Sequence, residues 1–204
     1  MRRPIPVNDR LCRVVLVRHA SADGQGRFLG QRDAPLSVRG RRQLPGLVAK
    51  LAKYDIEAVY CSDLRRARST ARAIARSTQL AVEVRSGLRE MHFGRWEGLS
   101  WLEIVRKCPR AARAWLKHFP KHRAPGGEAF DAFKRRALRE VNHIVTTNRG
   151  RCVLVVSHAG VTRVALARAL GVSDPHLFRI AQDPCAVNVI DYFRDGVVVS
   201  CVNG

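Results

Sequence analysis

Three short apolar runs constrain this chain more than any other feature. Residues 14–17, 58–61 and 152–156 are each four or five apolar residues long, rich in valine and free of polar interruption. A run that short and without alternation is a strand buried on both faces, and such strands belong to parallel sheets covered by helices on either side. The intervening segments read as helices. Ser37 is placed to cap a helix reaching about residue 53, with a kink or restart expected at Pro45-Gly46. Ser62-Asp63 is placed to cap a second over residues 64–78. Residues 80–85 are strand-like, 101–107 and 110–118 are two short helices split by Pro109, and 128–147 and 161–170 are two more helices. Residues 186–193 and 197–202 form a hairpin around Arg194-Asp195-Gly196. Strands alternating with helices give an α/β class with a mostly parallel central sheet in a three-layer α/β/α sandwich. At about 150 residues per domain, residues 11–204 are expected to form one domain after a loose leader at 1–10.

Composition excludes several functions. No apolar run approaches the ~18 residues of a membrane span, and Pro4, Pro6, Asp9 and Arg10 break any signal-peptide core. The six cysteines are at least sixteen residues apart, without metal-ligand spacing, which suits free buried thiols in a reducing cytoplasm. The net charge is +20, with 31 Arg against 6 Lys. Such a field favours anionic ligands and non-specific contact with nucleic acid. The arginines are spread along the chain and aromatic residues make up only 6%, which argues against a specific nucleic-acid partner.

In open α/β sheets ligands bind beyond the carboxyl ends of the strands. Arg18-His19-Ala20 follows the first strand, Ser62 to Ala67 follows the second, and Ser157-His158-Ala159-Gly160 follows the run at 152–156. Two histidines and at least two arginines therefore converge on one sheet edge, and two of these junctions open helices whose free N–H groups favour an anion. That set suits phosphoryl transfer. An imidazole can carry the phosphoryl group covalently, and guanidinium forks match its oxygens. A carboxyl group must protonate the leaving oxygen, and residues 88–98 offer Glu90 and Glu97. Arg65, Arg68, Arg72 and Arg76 fall on one helical stripe, a solvated face, whereas Arg66 lies about 100° away from Arg65.

Leu16-Val17-Arg18-His19-Ala20 resembles the Arg-His-Gly signature of the histidine phosphatase superfamily, the phosphoglycerate-mutase-like fold. Gly30 to Gly40, Ser62 to Ala71, Arg89-Glu90 with Phe93-Gly94-Arg95-Trp96-Glu97-Gly98, Pro125 to Phe130, and Val156 to Val161 resemble later motifs of the family, in order. The resemblance implies that His19 is the nucleophile that becomes phosphohistidine. It implies that Arg18, Arg66 and His158 complete the phosphate pocket and that Glu90 is the general acid and base. It implies no metal and no cofactor. Two positions depart from the pattern: Ala20 stands where the family has glycine, and Gln25 where it often has a phosphate-binding asparagine. The implied activity is a metal-independent phosphomonoesterase acting on a small phosphomonoester, with similarity to α-ribazole phosphatases of cobalamin synthesis. The alternatives are a phosphoglycerate mutase using the same histidine, and a non-catalytic polyanion-binding module.

Overall fold

The computed structural model describes residues 10–204. Most of the expected leader lies outside the described residues, and Arg10 already opens the first strand. The strands are β1 (Arg10–Arg18), β2 (Ala58–Cys61), β3 (Val82–Val84), β4 (Cys152–Ser157), β5 (Val187–Phe193) and β6 (Gly196–Cys201). They form one sheet in the order β3-β2-β4-β1-β5-β6. The first four are mutually parallel, and the terminal hairpin runs β5 antiparallel to β1.

Because side chains alternate along a strand, the apolar runs feed two cores. Val14 and Leu16 of β1 point to one face, with Val153 and Val155 of β4. Val15 and Val17 point to the other, with Leu154 and Val156. The first face is covered by α5 (Phe130–Thr147) and α6 (Ala159–Leu170), the second by α1 (Val38–Leu51) and α2 (Arg65–Thr78). The expected three-layer sandwich is thus the observed one. Two short helices, α3 (Trp101–Lys107) and α4 (Pro109–His118), cap the cleft end through a smaller core of Trp96, Ile104, Ala112, Trp115 and Ala124.

Two local expectations are corrected, and one element is added. Helix α1 runs through Pro45 without restarting. It is pinned on both sides of the proline, by Leu47 and Leu51 in the core and by Gly40, where an added Cβ would lie 1.9 Å from the Ser21 carbonyl oxygen. Helix α2 takes no side-chain cap from Ser62 or Asp63. Instead Asp33, from the loop after β1, accepts a hydrogen bond from the Arg65 backbone N–H at 2.6 Å. Finally, the six-residue 3₁₀ turn Asp174–Arg179 had no clear periodicity in the sequence.

Candidate active site

Parallel pairing sets the site. Arg18 ends β1 opposite Ser157 of β4, and Cys61 of β2 lies opposite Val156. The residues that follow, His19, His158 and Ser62, therefore emerge side by side. The rings of His19 and His158 lie 5.1 Å apart, edge to face. Both are buried, at 6% and 0% exposure.

Two contacts define the state of His19. Its Nδ1 lies 2.7 Å from the Ala20 carbonyl oxygen, so Nδ1 carries the proton and donates. Its Nε2 accepts a hydrogen bond from Arg66 Nε at 3.2 Å. The ring's lone pair is thus on Nε2, at the cleft, where it meets the Arg66 N–H. Burial, then the charges of Arg66 and Arg18, hold the His19 pKa well below the ordinary imidazole range. Burial and the same arginines do so for His158. Nε2 of His158 meets the Ser62 hydroxyl at 2.9 Å, and its buried Nδ1 has no partner.

Arg66 is 1% exposed, whereas Arg65, Arg72 and Arg76 are solvated. Arg68, the fourth residue of the stripe, is half-buried, and Arg66 is the arginine of α2 that reaches His19. Its remaining nitrogens donate to the Arg32 and Gly30 carbonyl oxygens at 2.7 and 2.6 Å. Ala20 fits without intrusion: it is fully buried and its N–H donates to Thr70 at 3.1 Å.

The two carboxylates divide cleanly. Glu90 lines the cleft beside Arg18, His19 and Arg66. Its oxygens accept from the backbone N–H groups of Met91 at 2.9 Å and Gly160 at 3.1 Å, the latter in the first turn of α6. Glu97 is absent from that lining. It ties two loops together by accepting from the N–H groups of Gln31 and Phe93 at 2.8 and 3.1 Å. Arg136 supports the Glu90 segment through the carbonyl oxygens of Gly87 and Arg89, both at 2.9 Å.

Gln25 is not brought into the site. Gly24 and Gly26 on either side have φ of +82° and +83°, and the turn they make leaves Gln25 exposed. Its neighbours Gly26, Arg27, Phe28 and Leu29 line the cleft instead. The cleft holds about 280 Å³, and its outer wall is aromatic: Phe28, Phe93, Trp115 and Phe178. Trp96 is fully buried and pins the loop. Arg32, Lys121 and Arg123 are solvated. Arg163 and Phe178 are cleft residues that motif reading missed. Arg163 donates to the Ile180 carbonyl oxygen at 2.8 Å and stacks over Phe178. The available signal was weak: Arg163 is one of two arginines amid the apolar turns of α6.

The model of the histidine phosphatase superfamily (branch 1) matches residues 14–204. Mycobacterial relatives are 35% identical over 90% of this chain, which spans about half, 51%, of their length. The adenosylcobalamin/alpha-ribazole phosphatase of Escherichia coli is 30% identical, over 88% of this chain and 89% of that one. The metal-independent phosphoserine phosphatase of Arabidopsis thaliana is 34% identical, over 80% and 71%. Among solved structures, the alpha-ribazole phosphatase of Shigella flexneri superposes with a TM-score of 0.85 at 28% identity, covering 94% of this chain and 96% of that one.

Proposed function

The chain belongs to the histidine phosphatase superfamily, and from that premise we propose that it is a metal-independent phosphomonoesterase acting on a small phosphorylated metabolite. The observation that carries this is the His19 tautomer: a buried neutral imidazole with its lone pair on Nε2, against Arg66. Nε2 attacks phosphorus, the bond to the leaving oxygen breaks, and Glu90, as general acid, delivers the proton that oxygen needs. Water then attacks the phosphohistidine and gives its proton to the Glu90 carboxylate, which releases inorganic phosphate and restores His19. Arg18 and Arg66 supply the positive charge that spreads against the phosphoryl oxygens. A phosphoryl oxygen would also satisfy the orphaned Nδ1 of His158.

The aromatic wall supports a leaving group with a flat apolar ring over a compact one such as serine, because ring faces stack favourably on Phe and Trp. α-Ribazole 5′-phosphate has that shape and is the substrate we propose. A cytoplasmic setting agrees with the buried Cys61, whose thiol pKa burial pushes up to about 12. No helix among the described residues is long and apolar enough to cross a membrane.

The test is phosphate release in EDTA from α-ribazole 5′-phosphate, O-phosphoserine and 3-phosphoglycerate. Preference for the first supports the proposal, and preference for the second moves the substrate. Interconversion of phosphoglycerates would replace hydrolysis by a mutase. His19→Ala is expected to abolish turnover and the acid-labile phosphoenzyme, and activity retained in that variant would overturn the mechanism.

A further inference from the structure

Arg18 is less firmly held than its partner. Arg66 has three fixed contacts, whereas the Arg18 guanidinium donates from Nη1 to the Gln182 backbone oxygen at 2.5 Å and leaves a buried Nε without a partner. Its direction therefore depends on where that one carbonyl stands. Gln182 lies in the irregular segment between the 3₁₀ turn Asp174–Arg179 and β5, where no sheet ladder fixes the backbone.

What fixes it is a buried amide pair. Gln182 and Asn188 are 4% and 0% exposed. Gln182 Nε2 donates to Asn188 Oδ1 at 2.7 Å, and Asn188 Nδ2 donates back to Gln182 Oε1 at 2.9 Å. Asn188 Nδ2 also donates to the carbonyl oxygen of Leu16, its partner across the β1–β5 ladder, at 3.2 Å. The Asn203 N–H donates to Asn188 Oδ1 at 2.8 Å, and Asn203 Oδ1 accepts from the Asp183 N–H at 2.7 Å. Both donors and both acceptor sites of the Asn188 amide are thereby used. Leu16 precedes Arg18 by two residues, so the pair ties the anchor of Arg18 to the strand that carries Arg18.

We infer that Gln182 and Asn188 are positioning residues that set the phosphate affinity of the site through Arg18, without touching substrate; neither lines the cleft. The inference rests on the phosphatase reading. Freeing the carbonyl lets Arg18 swing, and a misplacement near 1 Å costs about 10²-fold. A merely structural pair would lower the melting temperature and leave the chemistry of the folded enzyme unchanged.

The experiment is a double-mutant cycle on the full chain with Asn188→Ala and Arg18→Lys, reading kcat/KM and the inhibition constant of inorganic phosphate. Asn188→Ala is expected to lower kcat/KM and weaken phosphate about 10–100-fold. The loss should be equal for good and poor leaving groups, because Arg18 holds the phosphoryl group rather than the leaving oxygen. In the Arg18→Lys background the same change should cost about 2-fold or less, since coupled residues are not additive. The exchange Gln182→Asn with Asn188→Gln keeps the amides and total volume, and should recover phosphate inhibition. Asn188→Ser repeats the cycle if circular dichroism shows the alanine variant unfolded. Additive losses, or unchanged phosphate inhibition in the folded variant, overturn the inference alone. A wild-type protein that neither cleaves nor is inhibited by phosphate overturns the phosphatase reading as well.

Discussion

Gly160→Ala separates the placement of Glu90 from the stability of the fold. Gly160 sits in the first turn of α6, where its N–H donates to Glu90 Oε2 at 3.1 Å. A Cβ at this position would stand 2.1 Å from Glu90 Oε1. The carboxylate must retreat by roughly 1 Å, and a displacement of that size costs about 10²-fold in a group aligned with the reacting atoms. The oxygen is the far end of a flexible side chain, so the move costs only the strength of its hydrogen bond from the Met91 N–H and a few tenths of an ångström of give at Phe133 Cζ, 3.1 Å from the new Cβ. Alanine in place of glycine within a helix contributes about 1 kcal/mol of stability in return. The melting temperature should therefore hold or rise while turnover falls. If Glu90 protonates the leaving oxygen, the loss should approach 10²-fold for an alkyl phosphate and shrink to a few-fold for p-nitrophenyl phosphate, whose leaving group needs no proton. Steady-state kinetics on both substrates, with a thermal melt of the same sample, decide it. Equal losses on the two substrates, or full activity on the alkyl phosphate, would refute the placement of Glu90 as the acid.

Three further outcomes are expected. Because His19 and His158 are held neutral in the folded chain, the unfolded chain binds more protons below its imidazole value near 6.5. Stability is then fully present above that pH and falls as pH drops toward the depressed native values. The slope is at most about 1.4 kcal/mol per pH unit for each histidine. A melting temperature that stays flat between pH 7 and 5 would contradict it, and the acid limb of kcat/KM should likewise lie below 6.5. Asp33→Ala removes the side-chain acceptor of the Arg65 N–H at the start of α2. It should cost about 1 kcal/mol, read as a 2–4 °C lower melting temperature, with weaker phosphate inhibition as the Arg66 end loosens. Phe28→Ala opens the aromatic wall and should cut the preference for α-ribazole 5′-phosphate over O-phosphoserine about 10-fold in kcat/KM, while turnover of phosphoserine stays within about 2-fold.

What the sequence disclosed followed from strong local rules. The apolar runs specify buried strands, parallel register then aligns their ends, and His19, His158 and Arg18 come together without further information. Arg66 was legible because helical spacing removed its neighbours from consideration. The choice between Glu90 and Glu97 was not legible in geometry. Both occupy one loop, and their backbone partners come from residues 160 and 31, far away in sequence. Gln25 was misplaced because its side-chain direction depends on two glycine φ values rather than on its own chemistry. Asp33 was hidden for the opposite reason: its bond to the Arg65 N–H crosses 32 residues, and local capping rules look only next door.

The arginine field also performs a task that composition alone cannot show. In the proposed reaction Arg18 and Arg66 attract a phosphate dianion, and their charges add to burial, the larger cause, in holding His19 and His158 neutral. On that proposal the charges that recruit the substrate also help burial to keep the His19 imidazole unprotonated. In the proposed reaction the two guanidiniums are matched by the two negative charges of the entering group, and their push on both imidazoles relaxes together. At His158 that relaxation is not required for donation, because the neutral ring can carry its proton on the orphaned Nδ1 while Nε2 accepts from the Ser62 hydroxyl, and so donate to a phosphoryl oxygen as charge develops there. At His19 it carries no penalty, because Nε2 is by then engaged with phosphorus and Nδ1 is committed to the Ala20 carbonyl oxygen. The asymmetry between two equally buried histidines therefore comes from their backbone surroundings: one has a carbonyl to fix its tautomer, and the other has a buried Nδ1 without a partner, which in the proposed reaction a phosphoryl oxygen would fill.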